Sequence, residues 1–286
     1  MQPDIAAAIA GAARLPWRDQ LPAEADWDGY AYNLAERMCQ DAHVVNVPDC
    51  GFAVWRSQPW DSALLGVHAG RVDFFTAQRP DAVAQALRDD LERAGTCYVS
   101  ARLDAGAFDY IQALNRAGFE LVDGIITFGL RIRPESASVR AAPDDYQLRL
   151  ATPQDADALA EMGAPLFRVG RLHADPRIPR ECAERMYAEW IRNSCRGSEA
   201  DAVWIAQDGQ EIIGYLTVKT DRATRDFLGF PIMSIVLAGV VPRARRLGVA
   251  TRLTENALEW ARAKAIAAVT IGTQLNNIAT ARLFEG

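Results

Sequence analysis

The chain has 286 residues, half of them hydrophobic and about a quarter charged, with a formal net charge of −6 at pH 7. That is chain enough for roughly two domains with substantial cores. The acidic balance argues against nucleic acid or an anionic membrane as partner, so any basic site must be local. Five cysteines (Cys39, Cys50, Cys97, Cys182 and Cys195) include no C-x-x-C pair, and there are only three histidines (His43, His68 and His173), a pattern that argues against a disulfide framework or a metal centre.

The first residues, "MQPDIAAAIAGAA", are apolar but place Asp4 where an export signal needs a positive flank. The run "IMSIVLAGVV" supplies about half of the ~20 apolar residues a membrane span requires. The expectation is a cytoplasmic protein without a transmembrane helix. Residues 1–50 read as an N-terminal extension of uncertain structure, with short helices at "IAAAIAGAARL" and "DGYAYNLAERMCQDA". In "RPDAVAQALRDDLERAG", Val83, Leu87 and Leu91 recur at helical spacing and Gly95 closes the helix. "TCYVSARL" alternates like a strand, and "FDYIQALNRAG" is a second helix. "FELVDGIITFGLRI" predicts two strands joined by a turn at Asp123-Gly124. Residues 51–133 thus form a small α/β domain, and the aperiodic stretch 134–146 a linker.

A second domain, 147–286, begins with the strand "QLRLA" and the helix "QDADALAEMGAPLF". The strongest helical pattern in the chain is "PRECAERMYAEWIRNSC", with Met186, Trp190 and Ile191 on one side. The strands "AVWIAQ" and "IIGYLTVK" flank the turn "DGQE", and "IMSIVLAGVV" follows. A helix then runs through "TRLTENALEWARAKA", a strand through "AVTIGTQ", and a last helix starts in "NNIATARLFEG". The order helix, Gly-Phe, strand, turn, strand in "YIQALNRAGFELVDGIITFGLRI" is echoed by a second copy that stops at Gly286. Such a stop predicts an unpaired sheet edge and a helix face, Leu283 and Phe284, with little to cover it.

The chemistry concentrates in "VVPRARRLGVATRL", Val240–Leu253, where a strand gives way to a helix. The first amides of a helix have no intrahelical partner and carry the positive end of its dipole. Gly248 permits close backbone approach, Ala250 keeps the surface low, and Arg245 and Arg246 add charge. The residues fit a phosphate or pyrophosphate, through neither a Walker A loop nor a G-x-G-x-x-G motif. A solvated basic turn would show the same composition.

R-x-x-G-x-A (Arg245, Gly248, Ala250) after an apolar strand, followed at a distance by N-x-x-T-x-x-L-F (Asn277, Thr280, Leu283, Phe284), resembles the GNAT acyltransferase superfamily, over nearly all of 147–286. Segments from about Trp60 onward, among them "WDSALLGVHAGRV" and "MYAEWIRNSCRG", are similar to members that acetylate a nucleotide-linked amino sugar in the cytoplasm. The resemblance implies an α/β fold with a mixed sheet, preceded by a smaller, partial GNAT-like domain. It implies acetyl-CoA as acyl donor, no metal and small-molecule substrates, and it allows a homodimer. Its cofactor-binding residues would be Leu237, Ala238, Val240, Arg245, Arg246, Leu247, Gly248, Val249, Ala250, Thr251 and Asn277. A main-chain N–H of Leu237 or Ala238 would stabilise the oxyanion, and Phe284 occupies the position of the family's general-acid tyrosine. Acceptor candidates are Arg171, His173 and Asp175, which also read as ordinary loop polars. Tyr187 and Trp190 suit packing better than substrate stacking, Glu184 and Glu189 suit helix surface, and Cys182 and Cys195 suit small buried apolar positions. Transfer to another amine, or a coenzyme-binding module without catalysis, remain open alternatives.

Overall fold

The structure, a computed structural model, describes residues 3–12, 21, 25–133 and 146–285. The linker expected at 134–146 lies outside the described residues except for Tyr146, which is buried. The chain divides into two compact units, the first reaching Val122 and the second continuing from Asp123.

The first unit is built on a four-stranded sheet of order β1-β2-β3-β4, formed by β1 (His43–Val47), β2 (Gly51–Ser57), β3 (Ala69–Ala77) and β4 (Tyr98–Ala101). Helix α3 (Pro59–Leu65) links β2 to β3, and α4 (Pro80–Arg93) and α5 (Phe108–Arg116) flank β4 in sequence. Val83, Leu87 and Leu91 of α4 are buried in one cluster with Trp55, Val72 and Phe75 of the sheet, as their spacing predicts. The described residues of 1–50 are no appendage. Helices α1 (Pro3–Ala12) and α2 (Trp27–Cys39) bury Ala6, Ile9, Ala35 and Cys39 with Val54 of β2, and β1 itself pairs with β2. This sheet needs apolar cover on both faces, and the alanine-rich start of the chain supplies part of it.

The second unit holds a six-stranded sheet of order β5-β10-β9-β8-β7-β6. Its strands are β5 (Ile125–Arg131), β6 (Gln147–Leu150), β7 (Ala202–Asp208), β8 (Glu211–Asp221), β9 (Ile232–Val240) and β10 (Ala268–Gln274). All neighbours are antiparallel except β9 and β10. One face is covered by α10 (Val249–Ala263), whose Val249, Leu253, Ala257 and Ala261 fall every fourth residue and are buried. The other carries α6 (Ala156–Gly163) and α8 (Arg180–Cys195). There a Cβ built on Gly163 would lie 2.9 Å from both Ile191 Cδ1 and Tyr215 Cε1, so glycine lets α6 settle against α8 and the sheet. Two short helices, α7 (Arg171–Ala174) and α9 (Arg222–Leu228), and a last helix, α11 (Ile278–Glu285), complete the unit.

Two expectations change. Residues 119–124 form no strand, so the hairpin expected around Asp123-Gly124 is absent; Phe119 instead packs on the core of the first unit. Strand β5, expected to end the first domain, pairs along its whole length with β10 of the second sheet, from Ile125↔Gln274 to Arg131↔Ala268. The outer edge of β10 is therefore not bare. Phe284 of α11 is half-buried against the cluster under α10. Among the described residues no helix is long and apolar enough to cross a membrane.

Candidate active site

The site starts from a divergence of two parallel strands. β9 and β10 pair only from Ile232↔Ala268 to Ile235↔Ile271, after which β9 continues beside β8 and β10 beside β5. A bulge in the β8–β9 ladder between Thr217 and Val218 sits at the same level and bends β9 away. Beyond it the Leu237 N–H donates to Thr217 Oγ1 (3.0 Å) and the Val241 N–H to the Ile213 carbonyl (2.9 Å). Successive amides of a strand point to opposite sides. Those of Ala238 and Val240 therefore face the gap left by β10. Of the two expected oxyanion donors, Leu237 already has an acceptor, while Ala238 is exposed with its N–H turned to the opening.

At the end of β9 the chain passes through a 3-10 turn at Pro242–Ala244 and reaches the bend that begins α10. Arg245, Arg246, Leu247 and Gly248 are all exposed. Arg246 (φ +65°) and Gly248 (φ +78°) adopt left-handed conformations on either side of Leu247. Such alternation curls successive N–H groups toward one point and makes an anion-holding concavity. No side chain caps α10, a Cβ on Gly248 would meet nothing within 4 Å, and the helix's first backbone bond is Arg252 N–H to the Gly248 carbonyl. The amides of Val249, Ala250 and Thr251 have no backbone or capping acceptor among the described residues. The arginines divide their work. Arg243 pairs with Glu211 (2.6 Å), and Arg245 Nε donates to the Val240 carbonyl (3.2 Å), bracing the bend. Among the described residues Arg246 forms no ion pair and is open to an anion.

On the α6–α8 side a second group of residues gathers. A Cβ on Gly239 would lie 2.8 Å from Leu166 Cδ1 and 3.0 Å from Tyr215 Cε1, so only hydrogen fits there. The Tyr187 ring stacks on Phe167 at 4.1 Å and lies 5.7 Å from His173 and 6.3 Å from Trp190. A Cβ on Gly170 (φ +124°) would be 3.1 Å from the Tyr187 hydroxyl and 3.6 Å from Gln274 Nε2, which brings this aromatic group to the open end of β10. Burial pushes the Tyr187 phenol up to about 12, with Arg171 lowering it and Asp123 raising it. Burial also lowers the pKa of His173, with Arg180 acting in the same direction.

The acceptor candidates separate. Arg171 and His173 lie with Tyr187, whereas Asp175 is 5% exposed and closes its own loop, accepting from Arg177 Nε (2.8 Å), Nη2 (2.9 Å) and N–H (3.0 Å). Glu184 and Glu189 pair with Arg180 and Arg192 on the surface of α8. Burial pushes the Cys195 thiol up to about 11, which rules it out as a ready nucleophile. Asn277 accepts from the Thr280 N–H (3.4 Å) and opens α11. Sequence reasoning missed Thr217, Gly170, Gln274 and Asp123. Only Asp123 had attracted notice, as a turn residue. Among the described residues no three His, Cys, Asp or Glu side chains cluster as a metal site would require.

Residues 167–285 match the Acetyltransferase (GNAT) family. The chain is 26% identical over 226 residues to dTDP-fucosamine acetyltransferase of Escherichia coli O6:H1, covering 79% of this chain and 88% of that protein. It is 30% identical over 145 residues to the spore coat polysaccharide biosynthesis protein SpsD of Bacillus subtilis (strain 168), covering 50% of this chain and 46% of that protein. A solved structure of a probable acetyltransferase aligns with 49% of this chain and 86% of its own, at 16% identity and a TM-score of 0.38.

Proposed function

We propose that the chain, whose residues 167–285 form an acetyltransferase domain of the GNAT family, is an acetyl-CoA-dependent N-acetyltransferase acting on a nucleotide-linked amino sugar of the dTDP-4-amino-4,6-dideoxyhexose type. One observation carries the donor half of this reading: an exposed, uncapped, amide-lined bend at Arg246–Thr251 directly follows the strand that diverges from its parallel neighbour. The bend would hold the diphosphate of the coenzyme, with Arg246 adding charge and Gly248 admitting the backbone closely. The main chain of Ala238 and Val240, facing the gap, would pair with the pantetheine arm as a strand edge does. The names of the two relatives support the acceptor half: one is a dTDP-fucosamine acetyltransferase and the other serves polysaccharide biosynthesis.

Direct transfer requires a neutral amine held against the thioester carbonyl, a donor for the developing oxyanion and a proton for the departing thiolate. The Ala238 N–H meets the second need. The third is served poorly, because Phe284 has no proton to give. The thiolate of a thiol with a pKa of about 8.5 can still leave and take its proton from water, so the chemistry is slowed rather than abolished. Phe284, half-buried against apolar side chains, also favours a second reading in which the chain binds the coenzyme without turnover.

Calorimetry with acetyl-CoA, followed by thiol-release assays on dTDP- and UDP-linked amino sugars, separates the readings. Binding with release on a dTDP-amino sugar supports the proposal. Release only with peptide or small amines reassigns the acceptor, and binding without release on any amine favours the second reading. No binding of acetyl-CoA removes all of them.

A further inference from the structure

The second unit carries a cavity of about 240 Å³ away from the amide-lined bend. It opens where β9 and β10 begin, whereas the bend follows the last residue of β9. Helix α10 runs from the bend to Lys264 on the cavity wall, a distance of about 22 Å at 1.5 Å per residue. Pro231 and Ile266 give the lining a buried apolar part, and the Ala267 N–H ties the two segments together by donating to the Pro231 carbonyl (2.9 Å). Trp260 of α10 forms another wall, its ring set edge-on to Trp204 with centroids 5.8 Å apart. Three cations, Arg222, Arg225 and Lys264, face a single carboxylate, Asp201. That carboxylate is already engaged, accepting from the Thr220 N–H at 2.6 Å. Among the described residues neither arginine side chain has a hydrogen-bond or ion-pair partner, and Lys264 Nζ lies over the Trp260 ring at 5.9 Å. Three positive groups against one negative leave a local charge of +2 in a chain whose net charge is −6. The carbonyl end of α10, equivalent to about half a negative charge, offsets only part of it.

We propose that this cavity binds a phosphate monoester with a small, flat apolar body, at a site separate from the bend assigned to the coenzyme diphosphate. A lining rich in donors and poor in free acceptors selects an anion. A phosphate monoester near neutral pH carries a charge of about −1.5 to −2, which matches the local excess. The guanidinium forks of Arg222 and Arg225 present paired donors to phosphate oxygens, and Lys264 adds a point charge. Trp260, Pro231 and Ile266 give the apolar body its contact surface. The walls are set before a ligand arrives. Asp221 caps α9 by accepting from the Ala223 N–H (2.9 Å), and Thr224 Oγ1 accepts from the Ile232 N–H (3.0 Å), which fixes α9 to the start of β9. This site does not depend on the acetyl-transfer reading.

The probe is phenyl phosphate, titrated into the full chain with excess coenzyme A present to occupy the bend. Binding is read from the Trp260 indole signal in nitrogen–proton correlation spectra, a signal identified by its loss in Trp260→Phe. It should shift saturably at phenyl phosphate concentrations below about 10 mM. Phenol and inorganic phosphate, each carrying half of the chemistry, should bind about tenfold more weakly or worse. The double variant Arg222→Ala, Arg225→Ala should weaken phenyl phosphate about tenfold or more, as loss of charge-assisted hydrogen bonds requires. Its melting temperature should hold, because both side chains are exposed and unpaired among the described residues. Arg222→Lys, Arg225→Lys, which keeps the charge and loses the forks, should retain part of the affinity. A Trp260 signal that does not move overturns the inference. So does phenol or inorganic phosphate binding as tightly as phenyl phosphate, or full affinity in the alanine double variant.

Discussion

Replacing Gly248 by alanine probes the bend most directly. The new Cβ would meet nothing within 4 Å in the chain, so no internal clash contributes to the outcome. The cost to the fold comes from φ +78°, a left-handed conformation in which an L side chain loses about 1–2 kcal/mol. For a unit of this size that corresponds to a melting temperature lower by about 2–8 °C. The cost to binding is separate. A methyl group at 248, with no chain atom within 4 Å, would meet a diphosphate seated on this bend and keep it off the amides. Loss of one hydrogen bond to a charged group is worth about 1.5–3 kcal/mol, or roughly ten- to a hundredfold in affinity. The assay is calorimetric titration of both proteins with acetyl-CoA and with S-acetylpantetheine, which keeps the thioester arm and lacks the diphosphate. Gly248→Ala should weaken acetyl-CoA tenfold or more and leave S-acetylpantetheine within about twofold. Equal weakening of the two ligands would refute the assignment of this bend to the diphosphate, and so would an unaltered affinity for acetyl-CoA.

Phe284→Tyr should raise kcat about tenfold or more, general-acid help being worth 10²–10⁴ in a fully formed site; an unchanged kcat would remove position 284 from the proton path. Gly163→Ala should cost about 1–3 kcal/mol in urea denaturation, because its methyl would stand 2.9 Å from Ile191 and Tyr215, and a neutral result would mean that α6 is free to shift. The Arg149 guanidinium, with the Thr152 N–H and hydroxyl, holds the Asp155 carboxyl far below the usual carboxylate range. Its folded pKa lies under the unfolded value of about 3.9, so its contribution is complete above roughly pH 4 and drains away as pH falls toward the folded value. Asp155→Asn should therefore lower stability by about 1–2 kcal/mol at pH 7, with the gap narrowing below pH 4. A gap that stays constant from pH 7 to pH 3 would contradict the assignment.

What the sequence disclosed depended on how local each signal was. The helical spacing of Val83, Leu87 and Leu91 placed α4, and the run from a β-branched strand into Arg245–Gly248 placed the bend, because both are set by neighbours within a few residues. The partner of β5 was not legible. Alternating Ile126, Phe128 and Leu130 announce a strand with one apolar face and say nothing about which edge it joins. Asp123-Gly124 was misread for a related reason: the dipeptide is the strongest short-range hairpin signal, and here a distant pairing overrides it. Thr217 escaped notice because a hydroxyl that takes up one strand amide, and thereby singles out Ala238, has no signature along the chain.

The β5–β10 ladder also bears on how the polypeptide is made. Ile125 and Gln274 are separated by about 150 residues, so the earlier strand leaves the ribosome long before its mate exists. At synthesis rates of about 5–20 residues per second the delay is on the order of ten to thirty seconds. Throughout that interval a β-branched segment with exposed Ile125, Ile126 and Leu130 has no proper neighbour. Nascent chains are therefore expected to gain from a holding chaperone during translation, and overexpression without one should send this protein preferentially into inclusion bodies.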